Sequence, residues 1–442
     1  MAARESDEMT ELTAEMDVCA PYDDSLLNLL LLEEYCLLKK KKALLELPSP
    51  RRWWVRPIWE NRKQESEFHT AMPLLMNGDT EYFQKYYRMS SEKFEELHSL
   101  VEGPLTKLFV VREPIPSRAR LAMTLRYMAS GMQIQDVAMA FRVGISTASN
   151  IIHETCKVLW QVLQPIFLKV PTTADWQQVA KGFFERWNFP NCVGAVDGKH
   201  VQIQAPPNSG SLYFNYKGTY SIVLLAVADS NLKFILVDVG AYGRQSDGGT
   251  LGSSRFGKAL ERGLLGLPPP ALFPETSTVA PHVFIGDEAF QLRQDFLRPY
   301  PGRGLDDDKR IYNYRLSRAR RCAENAFGVM ASRFRIFRRV INLLPENADY
   351  VVLAACVLHN FLTEDTAYMP PNYADTEDCY GNVTEGQWRQ EEEGTTAMHD
   401  LEPPVGHNYS RNAAATRDIF NKYFTSTQGA VPWQWTSARL RH

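Results

Sequence analysis

The feature that most constrains the fold is a change of pattern at Asn191, where helical spacing of apolar residues gives way to strand-forming runs. Before it, residues 81–160 carry apolar residues at spacings of three and four, which predicts amphipathic helices. After it, residues 192–196 form a short apolar run and residues 219–239 are rich in β-formers, with a hairpin turn predicted at residues 229–231. We therefore expect a helical first half and an α/β second half whose sheet is mixed, since the strands of a hairpin are antiparallel.

Further patterns extend the second half. Residues 201–204 alternate in polarity, residues 248–265 are predicted to be helical, and residues 282–285 form another short apolar strand. A long basic helix is predicted from about residue 308 to residue 338. Strands and helices in this order are typical of an α/β layer arrangement.

Composition divides the chain into four parts. Residues 1–50 form an acidic, Leu-rich segment that is expected to be partly disordered, and residues 51–170 are expected to form an all-helical domain. Residues 190–362 are expected to form the α/β domain. Residues 363–442 are acidic and low in aliphatic residues, so we expect a largely disordered tail with one short helix at about 412–424.

The block from Ser117 to Trp160 has the spacing of a helix-turn-helix. It predicts helices over residues 118–130, 133–141 and 146–160, joined by two short breaks. Gly144 suits the second turn, and Ser146 or Thr147 can cap the third helix.

Two interpretations of this block are open. In a DNA-binding version, the first turn of the third helix reads base edges with Thr147, Ser149 and Asn150. Phosphate contacts would come from four arginines of the same block: Arg118, Arg120, Arg126 and Arg142. The alternative is a plain helical bundle, because the third helix has few basic residues before Lys157.

The formal net charge of −3 hides an uneven distribution. Residues 1–25 hold eight acidic residues and residues 364–402 hold eleven, each set against a single arginine. Residues 303–339 hold eleven Lys or Arg against four acidic residues. A basic surface is therefore expected within a globally acidic protein, and the mean charge does not exclude nucleic acid as a partner.

The cysteines, the Leu-rich run and a run of lysines give information on the cellular compartment of the protein. Seven scattered cysteines without a CxxC pair indicate a reducing environment and no zinc site. The Leu-rich run at residues 26–32 is too short and too closely flanked by charges for a secretory signal or a membrane span, so no membrane association is expected. The run Lys39–Lys42 fits either a nuclear-import patch or a solvated helix end.

Two aspartates come directly after apolar strands, Asp197 after residues 193–196 and Asp287 after residues 282–286. The ends of strands are where α/β sheets build binding sites. A carboxylate at the tip of a buried strand is poorly solvated, and a divalent cation can neutralise two such carboxylates that lie close together. Oxygen ligands of this kind favour Mg²⁺ or Mn²⁺.

Glu324 lies in the middle of the basic helix. Taken alone, it is most simply explained by an ion pair with Arg320 or Arg321, worth only about 0.3 kcal/mol. If it instead joins Asp197 and Asp287, the three acids could hold two metal ions roughly 4 Å apart for an in-line displacement at a phosphodiester. The two arginines could then bind the DNA strand being cut.

Four ordered motifs resemble the PIF/Harbinger transposase family and its domesticated, nuclease-like members: Val196–Val201, Tyr216–Leu224, Gly286–Phe290 and Ala323–Gly328. The resemblance covers about residues 50–362, with a weaker match at residues 417–434. The chain departs from the family pattern at Ala289 and Phe290, where Gly and Tyr are more usual, and Glu288 adds a charge beside Asp287.

The resemblance implies an α/β, RNase H-like DDE catalytic core with a mixed sheet, preceded by an all-helical domain containing a helix-turn-helix. It implies that Asp197, Asp287 and Glu324 are the catalytic, metal-holding acids, with Mg²⁺ or Mn²⁺ as cofactor. It adds Asp247 to the metal site, although an N-cap for the following helix explains that residue equally well. His200 is expected to have a structural role rather than to face a phosphate.

The function implied is a metal-dependent DNA endonuclease of the DDE transposase type, either a transposase or its domesticated descendant. The alternative is a catalytically inactive DNA- or protein-binding module that keeps the fold. The resemblance also implies a separate partner protein with a Myb/SANT-like domain and a nuclear location, with some cytoplasmic protein. An oligomer is compatible with these expectations. A nucleotide-binding function is excluded because residues 240–257 lack the spacing and the lysine of a phosphate-binding loop.

Overall fold

The computed structural model describes residues 31–40, 53, 55–108, 113–245, 247–391, 396–401 and 409–440. The chain divides into two units, residues 1–60 and residues 61–442. In the first unit, residues 31–40 form an exposed helix and Pro57–Trp59 form a 3-10 turn. The rest of the predicted acidic N-terminal segment lies outside the described residues.

The second unit begins with helices that precede the sheet. In chain order, these are α1 (Arg62–Glu65), α2 (Ala71–Gly78), α3 (Thr80–Tyr87), α4 (Ser91–Leu105), α5 (Ser117–Ser130), α6 (Ile134–Ala140), α7 (Ile145–Phe167) and α8 (Thr173–Trp187). The three helices predicted between Ser117 and Trp160 are therefore present. The predicted cap of the third is wrong, because α7 begins one residue after Gly144 and no side chain caps it.

The strands of the central sheet are β1 (Cys192–Gln202), β2 (Ser221–Ala228), β3 (Phe234–Tyr242), β6 (Val283–Ile285) and β7 (Phe296–Leu297), while β4 (Ala271–Leu272) and β5 (Val279–Ala280) form a separate ladder. Their order in the central sheet is β3-β2-β1-β6-β7. The β1–β2 and β2–β3 pairs are antiparallel, and the β1–β6 and β6–β7 pairs are parallel. The mixed sheet predicted from the sequence is confirmed.

One strand differs from its prediction. The sequence predicted a strand ending at Asp197 and another over residues 201–204, whereas β1 runs without interruption from Cys192 to Gln202. The reason is β2, which pairs with β1 continuously and places Ala226 opposite Asp197. Asp197 therefore lies inside a strand and not at its tip.

Helices cover both faces of the sheet. They are α8, α9 (Asp247–Ser253), α10 (Arg255–Glu261), α11 (Asp307–Arg333) and α12 (Pro345–Leu362). One core packs Trp176 of α8 and Phe256 of α10 against Phe284 of β6. The other core joins Ala326 of α11 and Ala355 of α12 to the opposite face. Among the described helices, none combines the length and apolar character needed to cross a bilayer.

The prediction of a largely disordered tail over residues 363–442 is wrong for its described parts. These contain β8 (Thr376–Glu377), β9 (Val383–Thr384), α13 (Gln387–Gln390), β10 (Met398–Asp400), α14 (Arg411–Thr425) and α15 (Gln434–Leu440). β10 pairs antiparallel with β1, and α14 and α15 pack on α11. Helix α14 agrees with the short helix predicted at 412–424.

Charge and aromatic contacts explain why an acidic tail folds here. The side chain of Glu377 is only 6% exposed and accepts hydrogen bonds from Arg318 and Arg321 of α11. Trp388 is buried against Gly328 of the same helix. The tail is short of aliphatic residues, but Glu377 is paired by the basic helix and aromatic rings such as that of Trp388 supply apolar area.

Candidate functional site

The register of the sheet brings two of the predicted acids together. β6 runs parallel to the first half of β1, with Ala195 opposite Ile285. Asp197 lies two residues after Ala195, and Asp287 lies two residues after Ile285, so both carboxylates reach the same edge of the β1–β6 pair. Helix α11 packs on β1, and Glu324 projects from it toward the same place.

The guanidinium of Arg320 joins all three acids. Its nitrogens lie 3.8 Å from an oxygen of Asp197, 3.6 Å from one of Asp287 and 4.0 Å from one of Glu324. These distances are within the range of an ion pair but are longer than hydrogen bonds. The three carboxylates therefore surround one cation while keeping lone pairs available for other ligands.

Burial distinguishes Asp197 from Asp287 and Glu324, because the side chain of Asp287 is 34% exposed. Asp197 is 4% exposed, and its Oδ2 atom has no hydrogen-bond partner among the described residues, although the Nζ atom of Lys199 is 3.0 Å away. Burial raises the pKa of Asp287 above its ordinary value, with Arg320 acting in the opposite direction and Asp197 adding to the rise. The side chain of Glu324 is 41% exposed.

Lys199 is a site residue that the sequence analysis missed. It lies between two carboxylates, forming ion pairs with Asp197 and with Asp400 of β10. Burial alone would lower the pKa of Lys199, but these two acids raise it above its ordinary value. Residues two apart on one strand share a face, but the predicted strand ended at Asp197 and so did not include Lys199, whereas β1 continues to Gln202.

A cavity of about 570 Å³ opens beside the three acids. Its walls also include side chains that the sequence analysis did not assign to the site: Lys199, Lys217, Trp388, Arg389, His399 and Asp400. Four of these six belong to the tail. His399 and Asp400 are placed by β10 pairing with β1, a contact across about two hundred residues, and Trp388 and Arg389 by the packing of α13 on α11; no local sequence pattern predicts either contact.

His200 has the structural role expected from the sequence. It is buried, and its Nδ1 atom lies 2.9 Å from the hydroxyl of Ser221 on β2. Burial lowers the pKa of His200 to about 4, so the ring is neutral near pH 7.

Arg321, predicted to contact DNA, is turned away from the cavity. It is buried, its Nη1 atom donates to Glu377 over 2.8 Å, and its guanidinium lies 5.9 Å from the Trp187 ring. On a helix, adjacent residues point about 100° apart, so Arg320 and Arg321 cannot both face one site. The prediction for Arg321 is wrong for this reason.

The four arginines predicted to contact phosphates each form an ion pair within the helical region. The pairs are Arg118–Glu95, Arg120–Glu154, Arg126–Glu67 and Arg142–Glu65. Arg120 is also buried, and the guanidinium of Arg126 lies 3.6 Å from the centre of the Tyr86 ring. Arg118 and Arg142 are partly exposed. Burial argues against the phosphate contact for Arg120, whereas the others stay predictions.

The remaining predicted residues divide by exposure. Thr147 and Asn150 are exposed in the first two turns of α7, where a base-reading side chain would need to be. Asp247 begins α9, but its side chain lies outside the described part of the chain, so its predicted role in the metal site stays a prediction.

The donor set fits a hard divalent cation in its chemistry. Three carboxylates face one cavity, and a buried oxygen of Asp197 has no hydrogen-bond partner among the described residues. Their present positions do not form a metal site, because across the described ranges no group of three or more His, Cys, Asp or Glu is placed to hold a metal ion. Arg320 stands at their centre instead.

Comparison with protein families identifies the domain that carries this site. Residues 196–360 match the model described as DDE superfamily endonuclease, a range that starts one residue before Asp197 and includes Asp287 and Glu324. The chain therefore carries a DDE superfamily endonuclease domain. Such a domain, together with the mixed sheet flanked by helices, indicates an RNase H-like core, and DDE superfamily endonucleases generally use divalent metals.

Individual relatives agree with this assignment. The chain is 25% identical to "Protein ALP1-like" of Arabidopsis thaliana over 300 residues, which cover 65% of this chain and 71% of that protein. It is 26% identical to "Putative nuclease HARBI1" of Mus musculus over 286 residues, which cover 63% of this chain and 77% of that protein. The resemblance to the Harbinger transposase-derived family is thus confirmed. No solved structure matches the chain.

Proposed function

We propose that this protein is a metal-dependent DNA endonuclease that hydrolyses phosphodiester bonds at the site formed by Asp197, Asp287 and Glu324. The observation that carries the proposal is the convergence of three acids, from two parallel strands and a helix, on one guanidinium beside an open cavity. Three carboxylates kept this close repel each other, so such a cluster costs stability unless cations neutralise it.

The three acids would hold Mg²⁺ or Mn²⁺, and Asp247 is the candidate for a further ligand. Divalent cations, when bound, supply activation of water and stabilisation of the leaving oxygen. Asp197, rigid within β1, would fix the position of the metal site, whereas the more exposed Glu324 can change rotamer on binding.

Two cationic side chains of the site would bind the substrate. Arg320 would leave the acids once metal neutralises them, and its guanidinium suits bidentate binding of a phosphate. The ammonium group of Lys199 stays beside Asp197 and would donate a hydrogen bond to a phosphate oxygen at the cavity wall.

DNA recognition outside the cavity is proposed for the helical region. Helices α5 to α7 would act as a helix-turn-helix, with Thr147 and Asn150 at the start of α7 facing base edges. Arg118 and Arg142 would contact phosphates after exchanging their glutamate partners for the backbone. A Myb/SANT-like partner protein and a nuclear location, with some cytoplasmic protein, belong to the same proposal and rest on the family resemblance; the proposal is compatible with an oligomer.

A second function is favoured by a different observation. Arg320 and Lys199 already form ion pairs with the acids, so the cluster also fits a set of structural ion pairs. A DNA- or protein-binding module that keeps the fold without cutting would need no more than this.

A plasmid-nicking assay separates the two functions. The purified chain is incubated with supercoiled DNA and Mg²⁺ or Mn²⁺, and Asp197→Asn is compared with wild type. Glu288→Gln is the matched control, because it removes one charge from the exposed neighbour of Asp287. We expect nicking by wild type and by the control and none by Asp197→Asn. Equal nicking by all three would sink the proposal, and DNA binding without nicking by any would favour the binding module.

A further inference from the structure

A group of large apolar side chains is exposed beside the cavity. Leu212, Phe214 and Tyr216, in the connection between β1 and β2, are 43–47% exposed, as is Tyr242 at the end of β3. The backbone at residues 242–244 runs alongside this connection, with Arg244 N donating to the carbonyl of Leu212 and the rings of Tyr213 and Tyr242 5.1 Å apart. We call Leu212, Phe214, Tyr216 and Tyr242 the aromatic surface. Large exposed side chains brought close by one connection make this surface a candidate binding site.

The connection that carries this surface is held firmly. Asn215 is buried, its side-chain oxygen accepts from the backbone N–H groups of Lys217 and Thr219, and its amide donates to Ser221. The isolated bridge between Phe214 and Tyr220 closes the same turn. A surface fixed in advance loses little conformational entropy when a ligand binds.

The aromatic surface continues into the three-acid cavity. Tyr216 donates from its hydroxyl to the carbonyl of Asp400, and the Nζ atom of Lys217 lies 5.6 Å from the centre of the Tyr216 ring. Lys217 is itself part of the cavity wall. Arg244 is exposed at the other side of the surface, so two cations flank the rings.

We propose that the aromatic surface binds unpaired DNA bases next to the phosphodiester held at the three acids, an inference that rests on the proposed nuclease function. Aromatic rings interleaved with cations are the chemistry that binds single-stranded nucleic acid, since each base offers a face for stacking and each phosphate a negative charge. Bases in an intact duplex are stacked on each other and cannot cover these rings. The surface therefore favours a substrate that is opened or single-stranded at the cleavage point.

The test measures binding without cleavage. Fluorescence anisotropy in EDTA compares wild type with Phe214→Ala and Tyr242→Ala, using a labelled single-stranded oligonucleotide and a blunt duplex of equal length. We expect each variant to weaken single-strand binding at least about fivefold and duplex binding less than about twofold, because one base–aromatic stack is lost. Tyr82→Ala is the matched control, an exposed tyrosine on α3, and should bind both DNAs as wild type does.

Each alternative outcome has a defined meaning. Unchanged single-strand binding, equal losses for both DNAs, or an equal loss in Tyr82→Ala would each overturn the proposed role of the aromatic surface. Circular dichroism spectra of the variants exclude unfolding as the cause of a loss. Plasmid nicking is scored separately: nicking by wild type with no effect of the ring variants on binding removes this inference alone, whereas selective loss of single-strand binding without any nicking removes only the nuclease function.

Discussion

The buried carboxylate of Glu377 offers the sharpest test of how the tail is attached. It accepts hydrogen bonds of 2.7 Å from Arg318 and 2.8 Å from Arg321, and all three side chains are at most 9% exposed. The change Glu377→Gln removes the negative charge, keeps the shape, and leaves two buried guanidinium groups without a counter-charge.

The expected loss in the free energy of unfolding depends on which hydrogen bonds the arginines keep after the substitution. Removing one partner of a buried ion pair costs about 3–5 kcal/mol. Arg318 keeps its hydrogen bonds to the carbonyl of Trp187 at 2.6 Å and to Asn188 at 3.0 Å, which offset part of that cost. We therefore expect Glu377→Gln to lower the free energy of unfolding by about 3 kcal/mol, near the lower end of the buried-pair range.

The assay is urea unfolding followed by circular dichroism, with Glu364→Gln as the matched control. Glu364 is also in the tail and pairs with Lys233, but its side chain is 79% exposed, so its loss should cost less than about 1 kcal/mol. If the two variants lose the same stability, the carboxylate of Glu377 is not buried against α11. Pairing of Glu377 with Arg318 and Arg321 would then not account for the folded tail.

Three further predictions concern the site and its surroundings. Lys199→Met removes the ammonium group beside Asp197, so the initial rate of plasmid nicking should fall at least about tenfold, and a rate within about twofold of wild type would remove Lys199 from the mechanism. Gly328→Ala places a Cβ atom against the indole of Trp388, so the variant should lose about 1–3 kcal/mol in urea unfolding; unchanged stability would contradict this packing. Burial raises the pKa of Asp349 to about 6 from 3.8, so wild type loses stability as the pH rises from about 4 to 6. The variant Asp349→Asn lacks that loss and should exceed wild type by about 1–3 kcal/mol at pH 7.5 but not at pH 4, whereas the same difference at both values would exclude ionisation as the cause.

The acids of the site could be found from sequence because each lies in a strongly patterned local context. Asp197 and Asp287 follow apolar runs, and Glu324 lies in a basic helix, so element type and approximate position were predictable. None of these patterns alone showed that the three acids lie close together. That expectation came from the four family motifs taken together, and the parallel register of β1 and β6 explains why Asp197 and Asp287 meet.

The arginines show where local patterns are insufficient. A basic segment predicts a basic surface, but Arg318 and Arg321 are buried in ion pairs, and only Arg320 reaches the acids. The direction of each side chain around the helix axis and the position of Glu377 decide which guanidinium faces the cavity. Neither can be read from the composition of the segment.

The sequence by itself determined the helical first half and the mixed sheet and predicted three site acids, because periodicity and short motifs are local properties of the chain. The tertiary structure decided that Arg320 stands among those acids, that Lys199 joins them, and that a tail predicted to be disordered forms a wall of the cavity. The first and the third depend on contacts between distant segments, above all β10 against β1, whereas the second depends on β1 continuing past Asp197. Burial and charge pairing across such contacts override what local composition favours.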